Sequence, residues 1–329
     1  MTDTRTAPAP TDPTDRHLAR RFDVCGLGEA MVEFNQTRPQ APDFLQGFGG
    51  DTSNATIAAA RAGARCSYLT RLGADTFGES LLALWQAEGV DTGGITLAPG
   101  EDTGLYFVTH GPAGHQFSYR RAGSAASRMS PAWLDAAPVA ERLQHSRWLH
   151  VSGISMAISA SACDTVLAAQ AIARLSGTRV SLDANLRLKL WPLPRARACL
   201  TAALADCDLF LPSLEDMQIL SGLEAPEAIA DWCHANGAKD VVLKLGPDGA
   251  LVSSGGTRER VRGRQVTLVD ATGAGDCFSG NLLARLCAGD DLFTAARWAN
   301  VAASIAVQGH GAVAPLPRAN QVRKELAAG

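Results

Sequence analysis

The apolar positions of the chain fall into short runs that alternate with stretches of helical period. Residues 21–34 begin as a strand and meet glycines at its end. Gly49 and Gly50 then precede Asp51, Thr52 and Ser53, any of which would cap a helix that runs through the following alanines and stops at Gly63. Residues 103–109 and 115–121 alternate apolar and polar around Gly111-Pro112-Ala113-Gly114, the pattern of a hairpin. From Pro131 onward strands and helices interleave. Residues 147–151, 179–183, 208–211 and 240–245 read as strands, and residues 160–176 and 231–235 as helices. Apolar strands between helices predict an α/β fold with a largely parallel central sheet covered on both faces. Ligands of such sheets gather at the C-terminal ends of the strands. Gly49, Gly50, Asn185, Ser213, Gly246 and Asp276 all follow strands or turns near such ends, and there is no internal repeat.

Composition narrows the classes. The 329 residues are 46% hydrophobic and 19% charged, enough for one large core with a small appendage. The net charge of -3 points to neither nucleic acid nor an anionic membrane as partner. No apolar run approaches the roughly 20 residues that span a bilayer. Residues 1–21 are rich in Pro, Thr, Asp and Arg and lack an apolar stretch, so they read as a disordered tail rather than a secretory signal. None of the eight cysteines forms a C-x-x-C pair and most lie in apolar runs, which predicts buried free thiols in a reducing, cytoplasmic setting.

The densest chemical signal is the run from Val269 to Gly280. An alternating segment, Gln265-Val266-Thr267-Leu268-Val269, predicts a strand, and residues 278–286 predict a helix. Between them Gly273 and Gly275 let the backbone approach an anion at a helix N-terminus, where unpaired N–H groups and a partial positive charge wait. Asp276 is the odd residue there. It fits if it takes a proton from a hydroxyl while the amides hold a phosphoryl group; the plainer alternative is a helix cap. A dinucleotide reading of Gly26-x-Gly28 fails, because the third glycine of that fingerprint falls on Met31.

The whole stretch, Asp270-x-Thr272-Gly273-Ala274-Gly275-Asp276-x-Phe278-x-Gly280, resembles the signature of the ribokinase, or PfkB, family of carbohydrate kinases. The resemblance runs from Phe22 to Pro315. It implies a ribokinase-like fold in which residues 22–34, 48–94 and 131–329 form the α/β body, and residues 35–47 and 95–130 a small β-sheet lid that closes over the sugar. It implies Asp276 as the catalytic base and Gly273, Ala274 and Gly275 as the anion hole. Gly50 and Asn54 match the family's Gly-Gly-x-x-x-Asn-x-Ala stretch, whose Gly and Asn touch sugar hydroxyls. Lys244, Gly246 and Gly249 match positions along the ATP phosphates, and Asn300 one near the adenine. The resemblance further implies ATP and Mg²⁺, with a monovalent cation left open, and a homo-oligomer, normally a dimer. One departure stands out: Ser213 and Asp216 replace the family's Asn-x-x-Glu, so Asp216, or Glu215 in its stead, would meet Mg²⁺ through water.

Four further stretches are similar to the branch of the family that phosphorylates 2-keto-3-deoxygluconate at its terminal hydroxyl. They are Thr103-Gly104-Leu105-Tyr106, Tyr119-x-Arg121-x-x-Ser124-Ala125, Leu149-His150-Val151-Ser152-Gly153-Ile154 and Asp183-x-Asn185-x-Arg187-x-x-Leu190-Trp191. The likeness implies that Gly50, Tyr106, Tyr119, Arg121, Arg187 and Asp276 contact the substrate, and Asn185 lies among them. Guanidinium forks match carboxylates, so Arg121 and Arg187 suit a sugar acid; read singly, each is also an ordinary structural arginine. The alternatives are a fructokinase or ribokinase of the same family, and a non-catalytic sugar-binding sensor, for which the Ser213 and Asp216 departure is the sole support.

Overall fold

The computed structural model describes residues 20–111 and 114–328. Most of the expected tail and the tip of the expected hairpin, Pro112-Ala113, lie outside the described residues.

The chain opens with β1 (Phe22–Leu27), which leaves the large sheet at Gly28. A Cβ on Gly28 would collide with the hydroxyls of Ser155 and Thr52, so only glycine lets the backbone turn there. The expected continuation to Phe34 is therefore a separate strand, β2 (Met31–Gln36), paired with β3 (Phe44–Gly49) in the small sheet. Next come α1 (Asp51–Arg61), β4 (Cys66–Leu69), β5 (Arg71–Gly73), α2 (Thr76–Ala87) and β6 (Thr96–Ala98). The hairpin follows as β7 (Leu105–Gly111) and β8 (Gly114–Arg120). The body resumes with α3 (Ala137–Gln144), β9 (Ser146–Ser152), α4 (Gly153–Ala157), α5 (Ala160–Leu175), β10 (Arg179–Asp183) and α6 (Leu193–Ala205). After these come β11 (Leu209–Phe210), α7 (Leu214–Ser221), α8 (Pro226–Ala235), β12 (Asp240–Lys244), β13 (Gly249–Ser254) and β14 (Thr257–Arg262). The chain closes with α9 (Ala274–Cys287), α10 (Leu292–Ala306) and α11 (Ala319–Ala328).

The large sheet runs β14-β13-β12-β11-β10-β9-β1-β4. Its six strands from β12 to β4 are parallel, and β13 and β14 close one edge antiparallel. Alternate residues of each strand feed separate cores. Cys25, Leu149, Val180 and Val241 pack under α3, α5, α6, α7 and α8. Val24, Trp148, Leu209 and Val242 pack under α1, α2, α9, α10 and α11. Two apolar faces on one strand are what makes these runs continuously hydrophobic. The small sheet runs β3-β2-β7-β8, while β5 and β6 pair with each other outside it. All eight cysteines are free, and six of them are buried. No helix among the described residues is long and apolar enough to cross a membrane.

Two local expectations fail. The strand predicted over residues 265–269 does not form. β14 ends at Arg262, residues 263–268 have no strand partner, and Leu268 and Val269 are exposed. Alternation is a side-chain signal, and a ladder also needs a neighbouring edge. The start of α1 is not capped by Asp51, Thr52 or Ser53: Gly50 holds the cap position at φ 120° with no side-chain cap bond.

Candidate functional site

The C-terminal ends of β1, β9, β10 and β12 converge on the start of α9 and the start of α1. Gly273 takes the left-handed conformation (φ 76°) as the N-cap of α9, which puts Asp276 in the first helical turn. Asp276 does not cap its own helix. Its Oδ2 instead accepts a hydrogen bond of 2.8 Å from Asn54 Nδ2 on α1. One turn earlier on α1, the buried Asp51 accepts 2.9 Å from Asn185 Nδ2. Asn54 Oδ1 is buried with no donor. A third carboxylate, Asp183 at the end of β10, accepts from Lys244 Nζ at 2.6 Å and from Ser279 Oγ at 3.2 Å. A Cβ on Gly275 would lie 3.3 Å from that same Lys244 Nζ. The glycine turn, the lysine and the aspartate therefore share one corner.

These carboxylates shape each other's chemistry. Burial pushes the Asp276 carboxyl up to about 7; the charges of Asp51 and Asp183 add to this, and the Asn54 amide and Lys244 hold it back. Asp51 is likewise raised, chiefly by burial, with Asp183 adding and Arg187 opposing. Burial also raises Asp216, against the Leu186 amide and Arg187. Asp216 Oδ2 accepts from Leu186 N at 3.1 Å. His150, buried at 2% exposure beside Ser181, is pushed down to about 4 by burial and is neutral at ordinary pH. A carboxyl held near 7 next to a helix N-terminus can accept a proton at neutral pH.

The remaining expected residues fall into two groups. On the small sheet the Tyr106 and Tyr119 rings stack 5.8 Å apart. The Tyr106 hydroxyl donates to Glu33, and Arg121 sits over Tyr119 and forms an ion pair with Glu29. Gly50 sits so close to the β1–β2 connection that a Cβ would lie 2.5 Å from Glu29 O. Arg187 donates to Leu186 O at 2.8 Å and, among the described residues, pairs with no carboxylate. On the other side, Gly246 and Gly249 adopt positive φ in the turn after β12. Asn300 donates to Arg262 O at 2.9 Å and lines a cleft of about 500 Å³ with Arg262, Gln265, Arg297 and Val301. Lys244 ends β12 two residues before Gly246 and reaches Asp183.

Sequence reasoning gave no site role of their own to Asp51, Asp183, Glu33 and Ser279. Asp51 carried a cap reading, and Asp183 headed the Asp183-x-Asn185-x-Arg187 stretch only as the polar end of a strand. The available signal was a carboxylate directly after Gly-Gly, at a helix start the structure buries.

The pattern of the pfkB family of carbohydrate kinases matches residues 21–319. The 2-dehydro-3-deoxygluconokinase of Escherichia coli strain K12 is 31% identical over 305 residues, which cover 89% of this chain and 97% of that protein. Fructokinase-1 of Oryza sativa subsp. japonica is 31% identical over 318 residues, covering 92% and 96%. Among solved structures, a protein of E. coli assigned as a ribokinase II, in complex with ATP and Mg²⁺, is similar with a TM-score of 0.85. It is 28% identical and covers 93% of this chain and 99% of its own. The chain belongs to the pfkB family of carbohydrate kinases and is an ATP-dependent sugar kinase.

Proposed function

We propose that the enzyme phosphorylates the terminal hydroxyl of 2-keto-3-deoxygluconate, also called 2-dehydro-3-deoxygluconate. The observation that carries this reading is Arg187, a cation near Asp51 and Asp216 that, among the described residues, forms no ion pair with a carboxylate. A neutral sugar offers it hydroxyl oxygens alone, whereas a sugar acid offers a carboxylate that matches the guanidinium fork and its charge. Arg121 on the small sheet is the second grip. The similarity to 2-dehydro-3-deoxygluconokinases supports the same substrate.

In this mechanism Gly50, Asn54 and Asn185 hold hydroxyls, and Asn54 Oδ1 gains the donor it lacks. Tyr106, Tyr119 and Arg121 close with the small sheet and exclude water from the phosphoryl donor. Asp276 takes the hydroxyl proton as its oxygen attacks the γ-phosphorus of ATP in line. The amides of Gly273, Ala274 and Gly275 hold the transferring oxygens at the start of α9. Lys244, with Gly246 and Gly249, lies along the phosphates, and Asn300 lies near the adenine. Mg²⁺ supplies neutralising charge to the phosphates. Among the described residues no three acidic, histidine or cysteine side chains form a metal cage, but Mg²⁺ bound with a nucleotide needs only one or two carboxylates. Asp216 fits that need: with Oδ2 accepting from Leu186 N–H, its carboxylate would help hold Mg²⁺ through water. The exposed Phe44, Leu45 and Phe117 on the outer strands of the small sheet suit a second copy of the chain, so the reading includes a homodimer. It also includes a cytoplasmic location.

A coupled ADP-release assay with Mg-ATP tests the substrate. The panel is 2-keto-3-deoxygluconate, its galactonate epimer, fructose and ribose. Activity confined to the keto-deoxy acids is expected. Activity on fructose alone would favour the second reading, a fructokinase, to which the rice relative's equal identity lends support. No ADP release with any sugar would favour a binding protein.

A further inference from the structure

The mechanism leaves Glu29 without a role, although it is the most deeply enclosed acid of the site. It lies between β1 and β2, where the backbone passes from the large sheet to the small one. Its side chain is 0% exposed, and that of Arg121 is 11% exposed. Ser124 Oγ donates to Glu29 Oε1 at 2.5 Å. Gly104 packs so tightly against this oxygen that a Cβ there would lie 2.8 Å from it. One carboxylate oxygen is thereby pinned, and the other, Oε2, faces Arg121 Nη2.

Arg121 directly follows β8, at the end of the small sheet. Its guanidinium stands 5.9 Å from the Tyr119 ring, which stacks on Tyr106. Arg121 Nε is buried with no hydrogen-bond acceptor, and Nη2 meets only Glu29 Oε2, as an ion pair without good hydrogen-bond geometry. These two nitrogens form one edge of the guanidinium, an edge that takes both oxygens of a carboxylate. A desolvated fork with one nitrogen unpartnered costs stability until an acceptor arrives. An arginine side chain has many rotamers to lose on binding, so something must hold the fork in place beforehand. Glu29 is the group that does so.

We propose that Glu29 is a positioning residue for substrate selection: it holds the Arg121 fork, across the junction of the two sheets, in the orientation that meets a substrate carboxylate. Two carboxylates then share one guanidinium. Glu29 takes Nη2 through a single oxygen, and the substrate takes the Nε–Nη2 edge. The preference for an anionic over a neutral sugar depends on a residue that does not itself bind the anion. This rests on the sugar-acid reading.

The test is Glu29→Gln, alone and combined with Arg121→Gln, assayed in the full chain with 2-keto-3-deoxygluconate and ATP. The KM for the sugar acid is expected to rise about tenfold or more, the KM for ATP to stay within about twofold, and kcat to change far less than the sugar KM. In the Arg121→Gln background, Glu29→Gln is expected to add nothing, because it acts only through Arg121. A lower or unchanged sugar-acid KM in Glu29→Gln, or effects that add in the double variant, would overturn the proposal. If Arg121→Gln also leaves that KM unchanged, the sugar-acid reading fails with it; if Arg121→Gln raises it, this inference fails alone. Should Glu29→Gln not fold, Ser124→Ala removes the donor that pins Oε1 and is expected to raise the sugar-acid KM about threefold, with an unchanged KM counting against the proposal.

Discussion

Replacing Asp51 by Asn would reveal how the site sets the proton affinity of its base. The Asp276 carboxyl stands at about 7 against an ordinary 3.8, through burial first and the Asp51 charge second. Asp51→Asn keeps the side-chain shape and leaves an oxygen for the Asn185 amide, but removes the charge. A neighbouring like charge in a buried site moves a carboxyl by about 1 pH unit or more, worth about 1.4 kcal/mol each. Catalysis needs Asp276 ionised, so wild-type kcat/KM rises with pH through about 7. In Asp51→Asn this limb is expected to move down by about one pH unit, so the variant's activity relative to wild type rises as pH falls from about 7 toward 5. Stability follows the opposite sign. A carboxyl raised by folding is bound to its proton more tightly in the native state, so its contribution is fully present below about 3.8 and lost as pH rises through about 7. Asp51→Asn therefore melts higher than wild type at pH 8, with the gap narrowing toward pH 5. The assays are a pH profile of kcat/KM from pH 5 to 9 and thermal melts at both ends. An acid limb that stays put, or moves up, would refute the reasoning.

Two further predictions concern binding and backbone. Arg187→Ala is expected to raise the KM for the sugar acid about tenfold to a hundredfold, the worth of a charged hydrogen-bonded pair, with the KM for ATP within about twofold; steady-state kinetics with each substrate varied would show it. Gly50→Ala forces a side chain onto a residue at φ 120° with Glu29 O 2.5 Å away, so a loss of about 1–3 kcal/mol and a lower Tm are expected in a thermal melt.

The body of the fold was legible because its strands are buried on both sides. Val24 and Cys25 point into different cores, yet both must be apolar, and that leaves an unbroken hydrophobic run in the sequence. The passage of residues 31–34 into the small sheet was not legible. Met31, Val32 and Phe34 are as apolar as the strand before them, and the turn between the two sheets at Gly28 leaves no local hydrophobic signal. The glycine turn and Asp276 stood out from local spacing. Their partners did not, because Asn54 and Asp276 are 222 residues apart. The same holds for Lys244 and Asp183, and for Arg121 and Glu29: each pair is a meeting of two charges from distant parts of the chain, which no local pattern reveals. The missing strand over residues 265–269 marks the converse limit, where a clean local pattern lacked a neighbour to pair with.

The most direct measurement compares wild type with Asp276→Asn, following both the binding of 2-keto-3-deoxygluconate and its phosphorylation by Mg-ATP in the same preparation. The account predicts one ADP and one phosphorylated sugar acid per turnover in the wild type. In Asp276→Asn it predicts a loss of turnover of about a hundredfold or more, the scale of a general base, with substrate affinity little changed. Near-normal turnover in the variant, or a wild-type enzyme that leaves the sugar acid untouched, would contradict it.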